Sequence, residues 1–369
     1  MMDNRIYKIK DSVDLFLNDN IFLTAYFMNT RKRKTFKVNN VLVKLLEQLD
    51  GERNITQLSE YMVKEYDVAF EDVLASIEHL NSSGIITEKV QDHLINETTR
   101  TRYNRQINYF SEFFDDEKQA EIAQQKLIDA KVLIFGSGAI GGNIAIQLAM
   151  AGVTHFTLFD YDKVEPSDIA RHLYFSYATV GMYKVEALKN YLNKINPKII
   201  VDTVNQALYP EADIEELVKG KSFVVNTLDE PYIGYTSAKI SRICVKYDIP
   251  HFIGGGFDAH LASTGELVIP HITPCADCYV THFTESLKGW KPKKHPVKNR
   301  SDQIGGLASM SLFSSSYATM EIIKTITNIV DMRKDYKVRG ELMFKDFSLN
   351  YLTVKKDPNC AVCGKDATL

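Results

Sequence analysis

The chain has 369 residues, a formal net charge of −3 from 44 basic and 47 acidic residues, and 45% hydrophobic residues. This length predicts two or three domains with a large core, and the small net charge argues against a nucleic acid or a membrane surface as partner. No run of about 18 apolar residues occurs, so no membrane-spanning helix is expected. Met1–Arg5 lacks the apolar core of a signal peptide, so we expect a cytoplasmic protein.

Residues 1–95 are predicted to form a small domain of their own. Asn39 and Asn40 can cap its first helix, Gly51 is expected to end that helix, and Thr56 is expected to open the second. A strand, three helices and a closing strand are indicated over residues 21–27, 41–49, 57–66, 71–80 and 85–88. This order predicts a winged helix-turn-helix domain.

The third helix of this domain argues against DNA as its ligand. It carries Glu71, Asp72 and Glu78, with His79 as its one possible cation, and an acidic recognition helix repels phosphates. By element order and by residues 41–88, the domain resembles the PqqD-like peptide-recognition domains. That resemblance implies that a precursor peptide adds as a strand to the small sheet, beside a groove that sorts side chains. The alternative is a structural cap, and residues 90–101 are predicted to be a linker.

From residue 102 onward, short apolar strands alternate with helices. The strands are indicated over 131–135, 155–159, 222–226 and 250–254, and helices over 143–151 and 183–195. This alternation predicts an α/β domain over residues 102–369, with a doubly wound, mostly parallel sheet covered by helices.

A glycine-rich loop follows the first of these strands. Gly136, Gly138 and Gly141 would let the backbone approach a phosphate at the start of a helix. Asp160 ends the next strand, at a distance along the chain that suits binding to a ribose hydroxyl. Taken alone, the glycine loop and Asp160 would suggest an enzyme that uses a nicotinamide or flavin dinucleotide.

Three further residues favour ATP over a dinucleotide. Arg171 and Lys184 are cations that can clamp a triphosphate. Asp229 follows a strand and is well placed to bind Mg²⁺. Each of them alone could be an ordinary surface charge, but together on one sheet they indicate an ATP site.

Two C-x-x-C pairs near the C-terminus predict a metal site. Four thiolates suffice for a closed tetrahedral Zn²⁺ site with a structural role, and two disulfides or unrelated thiols are the alternative. The pairs are Cys275 with Cys278 and Cys360 with Cys363. The fifth cysteine, Cys244, lies in a helical pattern and is predicted to be core.

With these motifs, residues 102–369 resemble the ThiF and MoeB family, relatives of the ubiquitin-activating enzymes. The stretch Arg102–Ile107 resembles the opening motif of the family. The resemblance implies a homodimer in which Arg105 reaches the ATP of the partner. It further implies that Asp160 binds ribose, that Arg171 and Lys184 bind phosphates, that Asp229 binds Mg²⁺ and that the cysteines bind Zn²⁺.

Two positions depart from the family pattern. Asp168 stands where asparagine is usual and His172 where glutamine is usual, and an added carboxylate should disfavour ATP unless Mg²⁺ or Arg171 compensates. Cys244 has no feature of a thioester nucleophile. Residues 286–302 are rich in Lys and Pro. They are either a solvated loop or, as the resemblance implies, a segment that guides a carboxylate toward the site.

The two domains together resemble the peptide-adenylating enzymes of microcin C biosynthesis. The predicted function is ATP-dependent adenylation of the carboxylate of a ribosomally made precursor peptide, in a bacteriocin- or microcin-like pathway. The alternative is a partner protein that binds the leader peptide and delivers it to a separate cyclodehydratase. Activation of a sulfur carrier is a third possibility, which leaves residues 1–95 unexplained.

Overall fold

The computed structural model describes residues 3–19, 21–114, 116–230, 233–255, 257–258, 260–286, 288 and 305–364. The chain divides into two compact units, Met1–Gln125 and Lys126–Leu369, here named the N-terminal unit and the C-terminal unit. In the described ranges, every helix is too short or too polar to cross a membrane.

Two small antiparallel sheets and three helices form residues 6–88 of the N-terminal unit. The strands are β1 Ile6–Ile9, β2 Val13–Asn18, β3 Phe22–Phe27, β4 Lys32–Lys37, β5 Asp50–Asn54 and β6 Ile86–Glu88. The helices are α1 Asn40–Glu47, α2 Ile55–Tyr66 and α3 Phe70–Ser82. One sheet has the strand order β5-β1-β6 and the other has the order β2-β3-β4.

The predicted strand over 21–27, the three helices and the closing strand are confirmed as β3, α1, α2, α3 and β6. Asn39 caps α1, because its side chain accepts a hydrogen bond from the backbone N–H of Leu42. The predicted opening of α2 at Thr56 is wrong. Asn54 caps that helix instead, in a reciprocal capping box with Gln57.

Two other predicted boundaries differ from the structure. Gly51 does not end α1, which stops at Glu47; it lies in β5 with a φ of +82°, a conformation that suits glycine. Residues 97–101, predicted as linker, form the first turns of α4 Glu97–Ser111, because Asn96 caps that helix through the N–H of Thr99.

A single apolar core holds the sheets and helices of residues 6–88 together. Ala25 of β3, Met62 of α2 and Leu80 of α3 are among its fully buried members. The next helix after α4 is α5 Glu117–Asp129, which crosses the division between the units. On α5, the buried carboxylate of Glu121 accepts the backbone N–H of Leu94 at 2.8 Å and contacts His93 Nδ1 at 2.6 Å.

A six-stranded sheet forms the centre of the C-terminal unit. Its strands are β7 Lys131–Phe135, β8 His155–Phe159, β9 Ile200–Val204, β10 Phe223–Asn226, β11 His251–Ile253 and β14 Glu266–Val268. The order is β14-β11-β10-β7-β8-β9, and all pairs are parallel except β11 with β14. From β7, the strand order continues through β8 to β9 on one side and through β10 to β11 on the other. The boundary between β7 and β10 is therefore the topological switch point of a doubly wound fold.

Helices and a second sheet complete this unit. The helices are α6 Gly141–Ala151, α7 Lys184–Ile195, α8 Glu215–Val218, α9 Ile233–Lys246, α10 Ala276–Ser286, α11 Ala308–Thr327 and α12 Met332–Asp335. The antiparallel second sheet has the order β12-β13-β15-β16, with bounds Phe257–Asp258, Leu261–Ser263, Arg339–Met343 and Leu349–Leu352. The four predicted strands and two predicted helices are confirmed as β7, β8, β10, β11, α6 and α7.

Candidate functional site

The glycine-rich loop joins β7 to α6 and needs its glycines. Gly136 has a φ of +93°, and a Cβ there would lie 2.4 Å from Thr227 Oγ1. A Cβ on Gly141 would lie 2.1 Å from the carbonyl oxygen of Gly136. At Gly138, by contrast, no described atom lies within 4 Å of a Cβ position, so its backbone faces open space. The loop therefore leaves room for a phosphate at the N-terminus of α6, where the helix dipole favours an anion.

Two hydroxyl groups that the sequence did not single out hold this loop in place. Thr227 Oγ1 donates to the carbonyl oxygens of Phe135 and Gly136 at 3.0 and 3.1 Å. Tyr174 Oη is buried and donates to the carbonyl oxygens of Ser137 and Gly138 at 2.9 and 2.8 Å. A Cβ on Gly142 would lie 1.8 Å from Tyr174 Oη, so only glycine leaves room for this tyrosine. The second glycine of the Gly141-Gly142 pair was therefore the sequence signal for a side chain packed against the loop.

Asp160 connects the end of β8 to the loop. Its Oδ2 accepts the N–H of Ser137 at 2.7 Å, and its Oδ1 accepts the N–H of Asp162 at 2.9 Å. Burial raises the pKa of Asp160, although these two hydrogen bonds oppose the rise. The carboxylate thus fixes the loop against β8. Its predicted contact with a ribose stays a prediction.

Lys184 and Arg171 meet two carboxylates beside the loop. Lys184 Nζ donates to Asp162 Oδ2 at 3.0 Å and lies 3.8 Å from Asp168 Oδ2. Arg171 Nη2 lies 3.6 Å from Asp168 Oδ1. Burial opposes the charge of Lys184, but the hydrogen bond to Asp162 and the nearby carboxylates raise its pKa. The carboxylate of Asp168, which stands where the family usually has asparagine, is therefore balanced by two cations. Lys184, Arg171, Asp162 and Asp168 form one charged cluster.

His172 lies behind this cluster and is buried. Its Nδ1 donates to the carbonyl oxygen of Asp168 at 2.6 Å, and its ring packs against Tyr174 and Phe175. Burial is the main cause that lowers the pKa of His172, to about 4. The imidazole is consequently neutral at physiological pH and adds no charge to the cluster.

Asp229 follows β10 and is exposed. In the sheet order, β10 neighbours β7 and β7 neighbours β8. Because the carboxyl ends of parallel strands lie at one edge, Asp229, the glycine loop and Asp160 share that edge. Beside it, Tyr161 Oη donates to the carboxylate of Glu230. An exposed carboxylate at this edge can bind Mg²⁺, and that role stays a prediction.

Three other predicted features come from other segments of the chain. Arg105 lies on α4 in the N-terminal unit and is exposed. Cys244 is fully buried, and burial raises the pKa of its thiol, which confirms it as core. The basic segment 286–302 falls outside the described residues, apart from residues 286 and 288.

The four predicted cysteines converge in a second cluster. Their Sγ atoms all lie within 4.8 Å of one another, with separations of 3.9 Å for Cys275–Cys278, 3.6 Å for Cys275–Cys360 and 3.5 Å for Cys278–Cys363. A tetrahedral site with Zn–S bonds of about 2.3 Å needs sulfur separations of about 3.8 Å. The four thiols are buried or half-buried and form no disulfide. This donor set and its geometry fit Zn²⁺.

Sequence comparison assigns most of the chain to one family. The model of the ThiF family matches residues 103–362. The chain is 28% identical over 267 residues to the molybdopterin-synthase adenylyltransferase of Escherichia coli, covering 72% of this chain and 96% of that protein. It is 27% identical over 251 residues to the adenylyltransferase and sulfurtransferase UBA4 of Candida albicans, covering 66% of this chain and 53% of UBA4. The chain thus spans about half the length of UBA4.

Solved structures resemble the chain over nearly its whole length. E. coli MccB with ATP has a TM-score of 0.69 at 19% identity, over 98% of this chain and 99% of that chain. MccB with AMPCPP and SeMet MccA has a TM-score of 0.70 at 20% identity, over 98% and 100%. SeMet PaaA has a TM-score of 0.68 at 23% identity, over 94% and 100%. At these identities the likeness concerns the fold. By its sequence match, the chain belongs to the ThiF family of ATP-dependent adenylyltransferases.

Proposed function

We propose that this protein adenylates the C-terminal carboxylate of a ribosomally made precursor peptide, as a cytoplasmic homodimer in a bacteriocin- or microcin-like pathway. The observation that carries this proposal is the extent of the fold likeness. The family model begins at residue 103, whereas the likeness to E. coli MccB, solved with ATP and with MccA, covers 98% of the chain. A function that uses both units accounts for the whole chain better than one that uses residues 103–362 alone.

The proposed reaction needs an anion site, a cation cluster and a metal ligand at one edge of the sheet. The peptide carboxylate attacks the α-phosphorus of ATP, an acyl–phosphate bond forms, and pyrophosphate leaves with the electrons of the broken P–O bond. A carboxylate is already ionised at neutral pH, so no general base is required. Catalysis therefore rests on positioning and on stabilisation of phosphate charge.

Each residue of the cluster has a proposed role in that step. The backbone at Gly138 lies beneath the phosphates, and Asp160 binds the ribose. Lys184 and Arg171 leave their carboxylate partners to bind phosphate oxygens. Asp229 binds Mg²⁺. Arg105 reaches the phosphates from the second protomer of the homodimer.

We assign peptide recognition to residues 1–95, as a winged-helix, PqqD-like domain, and adenylation to residues 102–369. Support comes from the two small sheets and three helices of residues 6–88. The acidic side chains Glu71, Asp72 and Glu78 on α3 disfavour a nucleic acid there. An exposed sheet edge suits a peptide that adds as a strand.

The proposed role of the cysteine cluster is structural. Four thiolates leave no open position for a substrate. The cluster joins α10 and the loop before it to residues 360–363, so Zn²⁺ would fix the C-terminal segment to the C-terminal unit.

Activation of a sulfur carrier is a second candidate. It is favoured by the 28% identity to the molybdopterin-synthase adenylyltransferase of E. coli, 96% of which is covered. It leaves the N-terminal unit without a role in substrate recognition. Delivery of a leader peptide to a cyclodehydratase would need no adenylation at all.

Exchange of radioactive pyrophosphate into ATP tests the proposal. We expect the purified chain with Mg²⁺ to catalyse exchange when a precursor peptide encoded beside its gene is added, and not when the same peptide carries a C-terminal amide. Asp229→Asn should reduce exchange by about a hundredfold or more, because the metal site is lost. Asp202→Asn, a matched change at an exposed aspartate of β9, should leave it unchanged.

The same assay separates the alternatives. Exchange that requires a sulfur-carrier protein and ignores peptides would support the second candidate. No exchange with any carboxylate substrate would refute adenylation and leave the delivery role.

A further inference from the structure

Two side chains form a bridge across the end of β7. Tyr161 follows β8, Glu230 follows β10, and Tyr161 Oη donates a hydrogen bond to the carboxylate of Glu230. In the sheet, β7 lies between β8 and β10, which are therefore about 10 Å apart, twice the spacing of neighbouring strands. This bridge, here named the Tyr161–Glu230 strap, joins two segments that flank the glycine-rich loop without being neighbours in the sheet.

The strap lies farther along both segments than their contacts with the glycine-rich loop. The three strands end at residues that are paired in the sheet, so the two segments start level with the loop. The segment after β8 contacts the loop through Asp160, which directly precedes Tyr161. The segment after β10 contacts the loop through Thr227, which also precedes Glu230. The two segments therefore meet outside the loop, over the crevice at the carboxyl ends of the strands where ligands of this fold bind.

On the β8 side, the chain is held before and after Tyr161. Asp160 accepts the N–H of Ser137, and Asp162 accepts a hydrogen bond from Lys184 Nζ at 3.0 Å. Asp160 also accepts the N–H of Asp162 at 2.9 Å, which closes a turn around Tyr161. Tyr161 is therefore the fixed partner of the strap.

On the β10 side, the chain is held only up to Leu228. Its N–H is bonded to a side chain of β10, and its carbonyl oxygen accepts the hydroxyl of Thr236 at 2.7 Å. Within the residues that the structure describes, the bond from Tyr161 is the one side-chain hydrogen bond of Asp229 and Glu230. Both of these residues are exposed, so Glu230 is the movable partner of the strap.

The chemistry of the strap suits a contact that opens and closes. The hydrogen bond to Glu230 is the main cause that raises the pKa of Tyr161, so the hydroxyl stays protonated and remains a donor at physiological pH. Tyr161 is 39% exposed, and water can replace its partner when the bond breaks. One such bond shifts an equilibrium by about five- to tenfold, so the closed arrangement is favoured but not permanent.

We propose that the Tyr161–Glu230 strap controls the passage of nucleotides to and from the glycine-rich loop. ATP enters when Glu230 moves away from Tyr161, the strap closes over the bound nucleotide, and the same opening releases it. This inference rests on the proposed placement of ATP at this edge of the sheet and is independent of which carboxylate is adenylated. A contact of this kind limits the rates of nucleotide exchange without setting the affinity.

Stopped-flow fluorescence with the full chain, Mg²⁺ and 1,N6-etheno-ATP tests the strap. The label is on the base, so the ribose and the phosphates are free, and excess ATP displaces the probe to give its dissociation rate. Tyr161→Phe removes the donor and Glu230→Ala removes the acceptor. Each should raise both rate constants about five- to tenfold and keep the affinity within about twofold, because the strap is closed before and after binding.

Matched controls and a double variant separate the strap from other effects. Tyr209→Phe and Glu211→Ala change an exposed tyrosine and an exposed glutamate in the loop after β9, and both should keep wild-type rates. Because either substitution at the strap breaks the same bond, Tyr161→Phe with Glu230→Ala should be no faster than either single variant.

Three results would overturn the strap. One is wild-type rate constants in both single variants. Another is a double variant whose acceleration is the product of the two single effects, since the two side chains would then act separately. The last is weaker binding with an unchanged association rate in Tyr161→Phe, because the tyrosine would then contact the nucleotide and not control its passage.

The same probe separates the strap from the placement of the nucleotide. If Lys184→Met weakens binding of etheno-ATP while the strap variants keep wild-type rates, the strap fails and the nucleotide site stands. If Lys184→Met and Asp229→Asn both bind the probe as tightly as the wild type, the proposed nucleotide site fails and the strap fails with it. Neither measurement needs a carboxylate substrate, so pyrophosphate exchange tests adenylation separately.

Discussion

The cysteine cluster and the charged cluster beside the glycine loop differ in the groups that contact their side chains. In the cysteine cluster, four like donors converge with sulfur separations of 3.5–3.9 Å. In the charged cluster, Lys184 and Arg171 already contact Asp162 and Asp168. Under the proposed function, Zn²⁺ would complete the first cluster, whereas a triphosphate would have to displace carboxylates in the second. Metal loss should therefore affect folding, and changes in the charged cluster should affect binding and rate.

The largest expected effect is the loss of the metal. Cys360→Ser with Cys363→Ser should lower the zinc content from about one ion per chain to near zero, and should destabilise the C-terminal unit by several kcal/mol because binding energy is coupled to folding. Zinc analysis and thermal unfolding measure the two effects. Cys244→Ala removes a buried thiol outside the cluster and should keep the zinc. Full zinc content in the double variant would contradict a four-cysteine site.

A smaller effect is expected from the main cation of the charged cluster. Lys184→Met should slow pyrophosphate exchange by about a hundred- to a thousandfold, the usual cost of one charge-stabilising group, while the fold is kept. Lys194→Met, at an exposed lysine on the same helix, is the matched control. If both variants retained wild-type exchange and ATP affinity, the charged cluster would not be the triphosphate site.

Much of both clusters could be predicted because their signals are local in sequence. The glycines follow an apolar strand, Asp160 ends the next one, and each cysteine pair has metal-ligand spacing. Partners that are distant in sequence could not be predicted in this way. Tyr174 and Thr227, which hold the glycine loop, come from separate parts of the chain.

Strand β4 illustrates a second limit of sequence reasoning. Its sequence, Lys-Arg-Lys-Thr-Phe-Lys, has no alternation of apolar and polar residues, so no pattern predicts a strand. It is a strand because it pairs with β3 over six residues, and this tertiary pairing outweighs local preference. At the start of α2, by contrast, the sequence does contain the signal. Asn54 followed by Gln57 is a capping-box pattern that marks the N-terminus of this helix, whereas Thr56 is not its cap.

A third variant tests whether the carboxylates compete with the triphosphate. Asp168→Asn keeps an acceptor for the N–H of Glu165 but removes the charge that contacts Arg171 and Lys184. We therefore expect ATP to bind about three- to tenfold more tightly, as measured by calorimetry. Asp202→Asn serves again as the control for loss of one exposed carboxylate. Weaker binding in Asp168→Asn would show that Asp168 positions the cations for ATP instead of competing with it.

The smallest expected effect concerns the neutral histidine behind the charged cluster. His172 has a folded-state pKa of about 4, below the usual value of 6.5, chiefly because it is buried. The unfolded chain therefore binds more protons between these values. His172 contributes its full stabilisation above about pH 6.5, and that contribution is lost as the pH falls toward 4. The charged groups that face it are Asp168, Lys184 and Arg171.

We expect the contribution of His172 at pH 5.5 to be lower than at pH 7.5 by roughly 1 kcal/mol of unfolding free energy. Urea unfolding of the wild type and of His172→Gln at both pH values isolates it, because glutamine can keep a hydrogen bond to the carbonyl oxygen of Asp168 but does not titrate. The wild type should lose more stability than the variant between the two pH values. An identical loss in both chains would mean that His172 accepts a proton in the folded state without cost, and the charged cluster would then tolerate one more positive charge than its geometry indicates.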